Sequence, residues 1–231
     1  MWMWYVAAVA PTKPTTRAAR MHDLLRSAIL RGELAPGEPL RLAALAAKYD
    51  ASQSLVREAL TRLAENNLAE LSPNQGFRVV SISRSDLIAI TDLRVLLEGE
   101  ALRLSIEHGD VEWEAAVVST HHVLERATFT LAGEPGTTQA WSDAHAAFHI
   151  ALVSACPNPR MLALTNSLRD GAELYRQLSE GGSRFAERDI PAEHRELMRL
   201  ATSRDPLAVE SLERHLRRTT DDVLDSGVLA P

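Results

Sequence analysis

The sequence predicts a mainly α-helical protein, in which a winged helix-turn-helix domain precedes an all-helical bundle of six to seven helices. Two short helical patterns joined by a tight turn lead into a strand–turn–strand pattern. Helical periodicity then continues from residue 83 to the C-terminus. The two parts also differ in charge, because residues 1–80 sum to +3 and residues 81–231 sum to −9 within a net charge of −6.

Length and composition fit two modest domains. The chain has 231 residues, of which 45% are hydrophobic and 24% charged, as is usual for globular proteins. Its single cysteine, Cys156, excludes an intrachain disulfide framework and indicates a reducing, cytoplasmic location. The apolar start MWMWYVAAVA is too short to span a bilayer and lacks the basic residues that begin a signal peptide. We therefore expect no membrane partner and treat residues 1–14 as an N-terminal extension.

Residues 15–80 form the predicted winged helix-turn-helix. Thr15 or Thr16 can cap its first helix, and a Gly/Pro-rich loop follows that helix. Ser52 can cap the third helix directly after the turn at Asp50 and Ala51. The predicted elements are helices at about 16–31, 42–49 and 53–66 and strands at about 68–71 and 77–80.

The third helix and the wing are the parts expected to touch DNA. A helix in the major groove presents its first turn to base edges, and this turn begins with Ser and Gln side chains that donate and accept. A glycine at the wing tip, flanked by Asn74, lets the backbone approach the minor groove. The alternative for each polar residue is a solvated helix face. The candidate DNA contacts are Arg41, Ser52, Gln53, Ser54, Arg57, Arg62, Gln75, Gly76 and Arg78.

About 70 residues of this part resemble the GntR family of bacterial regulators. The segments LRSAILRGELAPGEPLRLAALAAKYD and ASQSLVREALTRLAENNLAELSPNQGFRVV carry the resemblance. It implies that Arg57 is the most dependable DNA contact. Gln53 and Leu55 stand where the family usually has Arg and Pro, so the resemblance also implies an operator different from the common one.

Residues 81–231 are predicted to be helical throughout. Gly- and Pro-containing breaks separate the segments, and their number and length indicate a bundle. The predicted helices lie at about 85–108, 111–131, 138–155, 159–179, 189–203 and 206–225.

Four histidines in this bundle form a candidate metal site. His145 and His149 are four residues apart on one helix face, while His194 and His215 lie on two further helices. Neutral imidazole is a good ligand for transition metals, and bundle interiors commonly hold such sites. An alternative leaves His145 on the surface and three histidines on the metal. The adjacent His121 and His122 are predicted to be surface residues.

The helical part resembles the FCD effector domain of FadR-like GntR proteins. The segment DLRVLLE at residues 92–98 and the histidine pattern carry this resemblance, with His145 in place of the usual Asp. The resemblance implies a divalent transition metal, for which zinc is favoured and nickel or iron are alternatives. Arg94 is expected either to bind an effector carboxylate or to pair with Glu98. Further candidate effector contacts are Asn166, Arg169 and Tyr175.

Together these features predict a transcription regulator, most simply a repressor. A homodimer would bind palindromic double-stranded operator DNA, and a small carboxylate at the metal would change its affinity. Four neutral ligands leave the metal's charge uncompensated, which favours an anionic effector. Two alternatives are a regulator that senses the metal itself and a metal-dependent hydrolase. The hydrolase requires a general base beside the metal, and no motif supplies one.

Overall fold

A computed structural model describes residues 16–73, 75–130, 137–179 and 188–229. The predicted N-terminal extension at 1–14 and Asn74 of the wing lie outside the described residues. The elements of the first part are α1 (Arg17–Leu30), β1 (Pro39–Leu40), α2 (Leu42–Lys48), α3 (Gln53–Glu65), β2 (Ala69–Ser72) and β3 (Gly76–Val79). Those of the second are α4 (Arg84–His108), α5 (Val111–Arg126), α6 (Gln139–Val153), α7 (Pro159–Ser179), α8 (Ile190–Thr202) and α9 (Leu207–Asp225).

The helices of the first part begin where the sequence predicts. The Thr16 hydroxyl accepts from the Ala19 N–H, and the Ser52 hydroxyl accepts from the Leu55 N–H, so each caps its helix. Asp50 adopts a φ of 49°, a left-handed conformation that Asp tolerates and that turns the chain between α2 and α3. Two helices joined in this way form the helix-turn-helix.

The wing is a three-stranded antiparallel sheet with strand order β1-β3-β2. The β2–β3 hairpin is confirmed, and Gly76 at its turn has a φ of 78°, which a residue with a Cβ rarely adopts. Strand β1 was not predicted, because two residues, Pro39 and Leu40, are too short to show an alternating pattern.

The second part is a six-helix bundle over the described residues, as predicted. Helix α5 ends at Arg126, earlier than the predicted residue 131. The chain there turns back toward α6, because the Thr138 N–H donates to the Phe129 carbonyl and the Thr138 hydroxyl donates to the Thr128 carbonyl. Phe129 also packs edge-to-face on Trp141, which holds this connection against the bundle.

Two large apolar cores correspond to the two parts, and α7 contributes to both sides of the boundary. Leu174 of α7 is fully buried in the core formed by α1, α2, α3 and the wing. Beside it, the Arg26 guanidinium of α1 donates to the Asp170 carboxylate at 2.8 Å, and the Asn67 amide donates to the Ser167 hydroxyl at 3.0 Å. Helix α7 therefore joins the first part, residues 16–80, to the bundle.

No helix in the described ranges is long and apolar enough to cross a membrane. Cys156 is buried in the bundle core, as expected for a small apolar residue.

Candidate metal centre and nucleic-acid interface

The four predicted histidines meet in the bundle. His145 and His149 come from α6, His194 from α8 and His215 from α9. Each offers a ligand atom, and these four atoms lie within 4.8 Å of one another. The alternative that leaves His145 apart on the surface is not supported, because its ring centroid lies 4.5 Å from that of His149 and 5.1 Å from that of His194.

The cluster fits a metal ion chemically. Both ring nitrogens of His149 and Nε2 of His194 are buried and have no hydrogen-bond partner among the described residues. Burying an imidazole nitrogen without a partner is costly, and coordination to a cation would satisfy one nitrogen of each ring. The donor set of four imidazoles suits zinc, nickel, copper or iron.

The electrostatics of the cluster favour neutral, ligand-competent rings. Burial lowers the pKa of His145 and His149 well below the usual 6.5, and the neighbouring imidazoles lower it further. Burial likewise lowers the pKa of His194 and His215, although Glu193 opposes this at both rings. Neutral imidazole is the form that binds metal.

Beside the histidines lies a small cavity that is rich in arginine. It encloses about 40 Å³, which is room for roughly three waters when one needs about 10–15 Å³. Arg94, Arg169 and Arg176 line it together with His145, His149 and His215. One carboxylate, Glu173, also lines it, so positively charged side chains outnumber negatively charged ones in its lining.

The arginines are held by acidic partners. Nε of Arg94 donates to Glu98 at 2.7 Å, and Nη2 of Arg169 donates to the other oxygen of Glu98 at 3.4 Å. Burial alone would raise the pKa of Glu98, but the two guanidiniums outweigh burial and lower it. Arg94 thus both pairs with Glu98 and lines the cavity, so both predicted roles are compatible. Nε of Arg169 is buried and without a partner among the described residues.

Two of the predicted effector contacts lie outside this cavity. Tyr175 is buried between α7 and the start of α4, where its hydroxyl donates to Asp86 at 2.7 Å and accepts from the Ser83 N–H. Asn166 is exposed and accepts from Arg169 at 3.0 Å, in a wider cleft of about 370 Å³ between α1, α6 and α7. Tyr175 therefore joins α7 to α4, and Asn166 lines a cleft that His145 and Arg169 also line; an effector contact by either residue stays a prediction.

The prediction that His121 lies on the surface is wrong. Its side chain is buried, and its ring packs edge-to-face on Phe148 at 5.4 Å. Burial lowers its pKa. The apolar neighbours on α5 could have indicated this position, because His121 follows Trp113 and Val117 at helical spacing.

Several residues of the site were not predicted from sequence. Arg176 stacks over Trp141 at 4.9 Å, and Trp141 in turn stacks on His145 at 4.7 Å. Arg176 lies seven residues after Arg169, so the shared helix face was a usable signal. Glu193 accepts from His215, and no sequence signal indicated this, because Glu193 and His215 lie on different helices.

Glu193 is also the centre of a charged network. Burial alone would raise the pKa of its carboxyl, but hydrogen bonds from Arg188 and His215 outweigh burial and hold the pKa well below its usual value. Arg188 in turn donates to Asp222 at 2.9 Å. Glu193 and Arg188 both contact Nδ1 of His215, and Asp222 lies on α9 together with His215.

Most of the proposed DNA contacts are exposed residues of the first part. Ser52, Gln53, Ser54, Arg57 and Arg62 are exposed on α3 and its cap. The remaining candidates, Arg41, Gln75 and Gly76, are exposed as well, before α2 and in the wing. Arg78 is different, because its guanidinium is partly buried and donates to the Gly37 carbonyl at 2.6 Å. The opposite face of α3 is buried, so the exposed face is available to a groove.

A winged helix-turn-helix that is followed by an all-helical domain is the architecture of a DNA-binding transcription regulator. Family comparison agrees: residues 17–79 match the bacterial regulatory proteins of the gntR family, and residues 89–218 match the FCD domain. The chain belongs to the GntR family of transcription regulators, in its FadR-like, FCD-containing branch.

Curated relatives include other transcription regulators. BphR, an HTH-type transcriptional regulator of Paraburkholderia xenovorans, is 36% identical over 207 residues, covering 89% of this chain and 84% of BphR. The repressor GlaR of Escherichia coli is 34% identical over 152 residues, covering 66% of this chain and 69% of GlaR. A probable D-xylose utilization operon repressor of Paenarthrobacter nicotinovorans is 30% identical, covering 87% of this chain and 86% of its own length.

Solved structures share the fold. McbR/YncC of E. coli superposes with a TM-score of 0.68 at 21% identity, covering 91% of this chain and 98% of its own. A GntR-type structure from Rhodococcus sp. RHA1 gives a TM-score of 0.69 at 22% identity, covering 90% and 98%. The family and the curated relatives are regulators of transcription, so the chain is a DNA-binding regulator and not an enzyme.

Proposed function

We propose that this regulator is a repressor whose operator affinity is set by a small carboxylate bound at a metal ion in the bundle. The observation that carries the proposal is the convergence of four imidazoles from three helices beside an arginine-lined cavity. His145, His149, His194 and His215 would hold the metal. When bound, the metal supplies a positive charge that neutral imidazoles do not compensate, and it attracts an anion.

The chain's own residues then give the anion a second set of contacts. Arg94 and Arg169 present planar guanidiniums that suit a carboxylate, and the unpartnered Nε of Arg169 is available for a further hydrogen bond. The small cavity favours a ligand that places a carboxylate group there. An arginine-lined cavity favours this function over simple metal sensing, which requires no anion site.

Helix α7 is the proposed route from the cavity to DNA. Arg169 lies in the cavity, and the next residue, Asp170, pairs with Arg26 of α1. A ligand that moves Arg169 away from Glu98 would displace α7 relative to the DNA-reading half. Only a difference in ligand affinity between the two arrangements can drive this change, typically worth about 1–3 kcal/mol.

The proposed active form is a homodimer in which each winged domain binds half of a palindromic operator. Exposed leucines on α4 support a protein contact there, because Leu93 and Leu96 leave 48% and 66% of their surface in solvent. In this arrangement Arg57 and the first turn of α3 bind the major groove, and Gln75 and Gly76 follow the backbone toward the minor groove.

The test begins with protein stripped by a chelator and reloaded with zinc. An operator is selected from random duplexes, and its affinity is measured by gel shift with acetate, lactate, succinate or citrate present. We expect zinc-loaded protein to change its operator affinity with at least one acid, and stripped protein to respond to none. Operator affinity that follows zinc alone would support the metal-sensing alternative instead. No metal uptake, or no selected duplex, would overturn the proposal.

A further inference from the structure

Glu193 of α8 contacts a proposed metal ligand on the neighbouring helix α9. It lies on α8, one residue before His194, yet its Oε2 lies 2.9 Å from Nδ1 of His215 on α9. The His215 side chain is only 6% exposed, so water has little access to compete for this nitrogen. A partly buried carboxylate and a buried imidazole are thus directly hydrogen-bonded.

The contacts around Nδ1 decide which nitrogen carries the proton. A carboxylate only accepts, so the bond to Glu193 requires a hydrogen on Nδ1 of His215. Nη2 of Arg188 lies 3.2 Å from the same nitrogen, but its hydrogens already have acceptors in Glu193 and in the His215 carbonyl at 3.1 Å. With Nδ1 protonated, Nε2 of His215 keeps its lone pair for a cation.

We propose that Glu193 is a positioning residue of the metal centre: it fixes the ring of His215 in the tautomer and orientation that present Nε2 to the metal. This inference rests on the metal site of the proposed function. Metal-bound histidines generally donate their second nitrogen to a carboxylate or carbonyl, and losing that partner typically lowers metal affinity about tenfold to a hundredfold.

Arg188 makes the arrangement rigid. Its Nε donates to Glu193 at 2.8 Å, while its Nη1 donates to Asp222 at 2.9 Å and to the Thr219 hydroxyl at 3.0 Å. Arg218 adds a further donor to Glu193 at 2.9 Å. Because Asp222 and Thr219 lie on the same helix as His215, Arg188 holds Glu193 in a fixed place relative to that ring.

The test compares Glu193→Gln with Asp222→Asn. Both remove one charge from the same network, but only the first alters the partner of His215. Affinity for Co²⁺ alone is measured on the full chain by chelator competition, with the visible absorption of bound Co²⁺ as the signature of ligand geometry. We expect Glu193→Gln to weaken Co²⁺ binding about tenfold to a hundredfold and to change the spectrum, and Asp222→Asn to resemble wild type.

Equal losses in the two variants, or an unchanged Glu193→Gln, would overturn the inference while leaving the metal site intact. Wild-type protein that binds no Co²⁺ would overturn the metal site and this inference with it. If Glu193→Gln does not fold, ¹⁵N-histidine NMR of the zinc-loaded wild type gives the answer. A protonated, exchange-protected Nδ1 on His215 is expected, and metal bound at that nitrogen would contradict the proposal.

Discussion

The candidate DNA interface and the candidate metal centre place their charged side chains in opposite ways. Arg57 in the DNA-reading half is exposed on one helix, whereas Arg169 in the bundle is 7% exposed and pairs with the fully buried Glu98. An exposed helix face can act on DNA alone, because the groove supplies the partner. A buried site needs partners from several helices, so its function depends on the packing of the bundle.

The sharpest way to test this difference is to remove one buried imidazole. His149→Ala should lower metal affinity about a hundredfold, since structural zinc binding of about 10–16 kcal/mol divided over four ligands gives about 3 kcal/mol each. Metal content after dialysis measures it. Because α3 and the wing have their own core, operator binding by the metal-free variant should match that of metal-free wild type. A variant that keeps its metal would remove His149 from the site.

The converse change is Arg57→Ala in the DNA-reading half. Loss of a base contact should weaken operator binding by about 1–3 kcal/mol, or about 5- to 150-fold, without changing metal content. Gel shifts on specific and random duplexes measure the effect. Arg62→Ala is the matched control. Loss of a phosphate contact should weaken binding to both duplexes alike and reduce the slope of log affinity against log salt concentration by about one. Equal behaviour of the two variants would contradict base contact by Arg57.

Acid should destabilise the metal-free bundle. Burial lowers the pKa of His145, His149, His194 and His215 below 6.5, so the unfolded chain binds protons that the folded chain does not. Their contribution is present above about pH 6.5 and is lost as pH falls below it, on the order of 1 kcal/mol per pH unit for each ring. Thermal unfolding between pH 8 and 5 measures this loss. His149→Ala should show a shallower dependence, and an equal slope would contradict buried neutral rings.

The position where this chain departs from the FCD pattern offers a finer test. His145→Asp keeps a ligand atom but adds a negative charge beside the metal. We expect metal binding to persist and the affinity for a small acid such as succinate to fall by about 1 kcal/mol, roughly fivefold. Calorimetry of zinc-loaded protein gives both values. Tighter acid binding by the variant would contradict the role assigned to site charge.

The smallest expected effect lies at the boundary between the halves. Asp170→Asn breaks the ion pair with Arg26, whose side chains are 25% and 27% exposed, so the loss should be about 0.2–1 kcal/mol. The change in operator affinity on adding acid should shrink by up to about fivefold, with metal content unchanged. Glu125→Gln, which breaks an exposed pair with Arg195 inside the bundle, is the control. An unaltered response in Asp170→Asn would exclude the Arg26–Asp170 pair as the route.

Sequence alone determined the local features of this protein. The caps at Thr16 and Ser52, the stripe that buries one face of α3, and the break before each bundle helix are set by neighbouring residues, so periodicity and capping predicted them. The pairing of His145 and His149 followed from their four-residue spacing, and the family resemblance strengthened the prediction that His194 and His215 complete the site.

Tertiary structure alone decided the partners that come from distant segments. Glu98 meets Arg169 across 71 residues, and Glu193 meets His215 across 22, so no local pattern records either contact. Strand β1 forms only because it pairs with β3. The Tyr175 hydroxyl donates a hydrogen bond to Asp86, which lies on another helix. Such contacts depend on how helices pack, because packing sets which buried charges must neutralise each other.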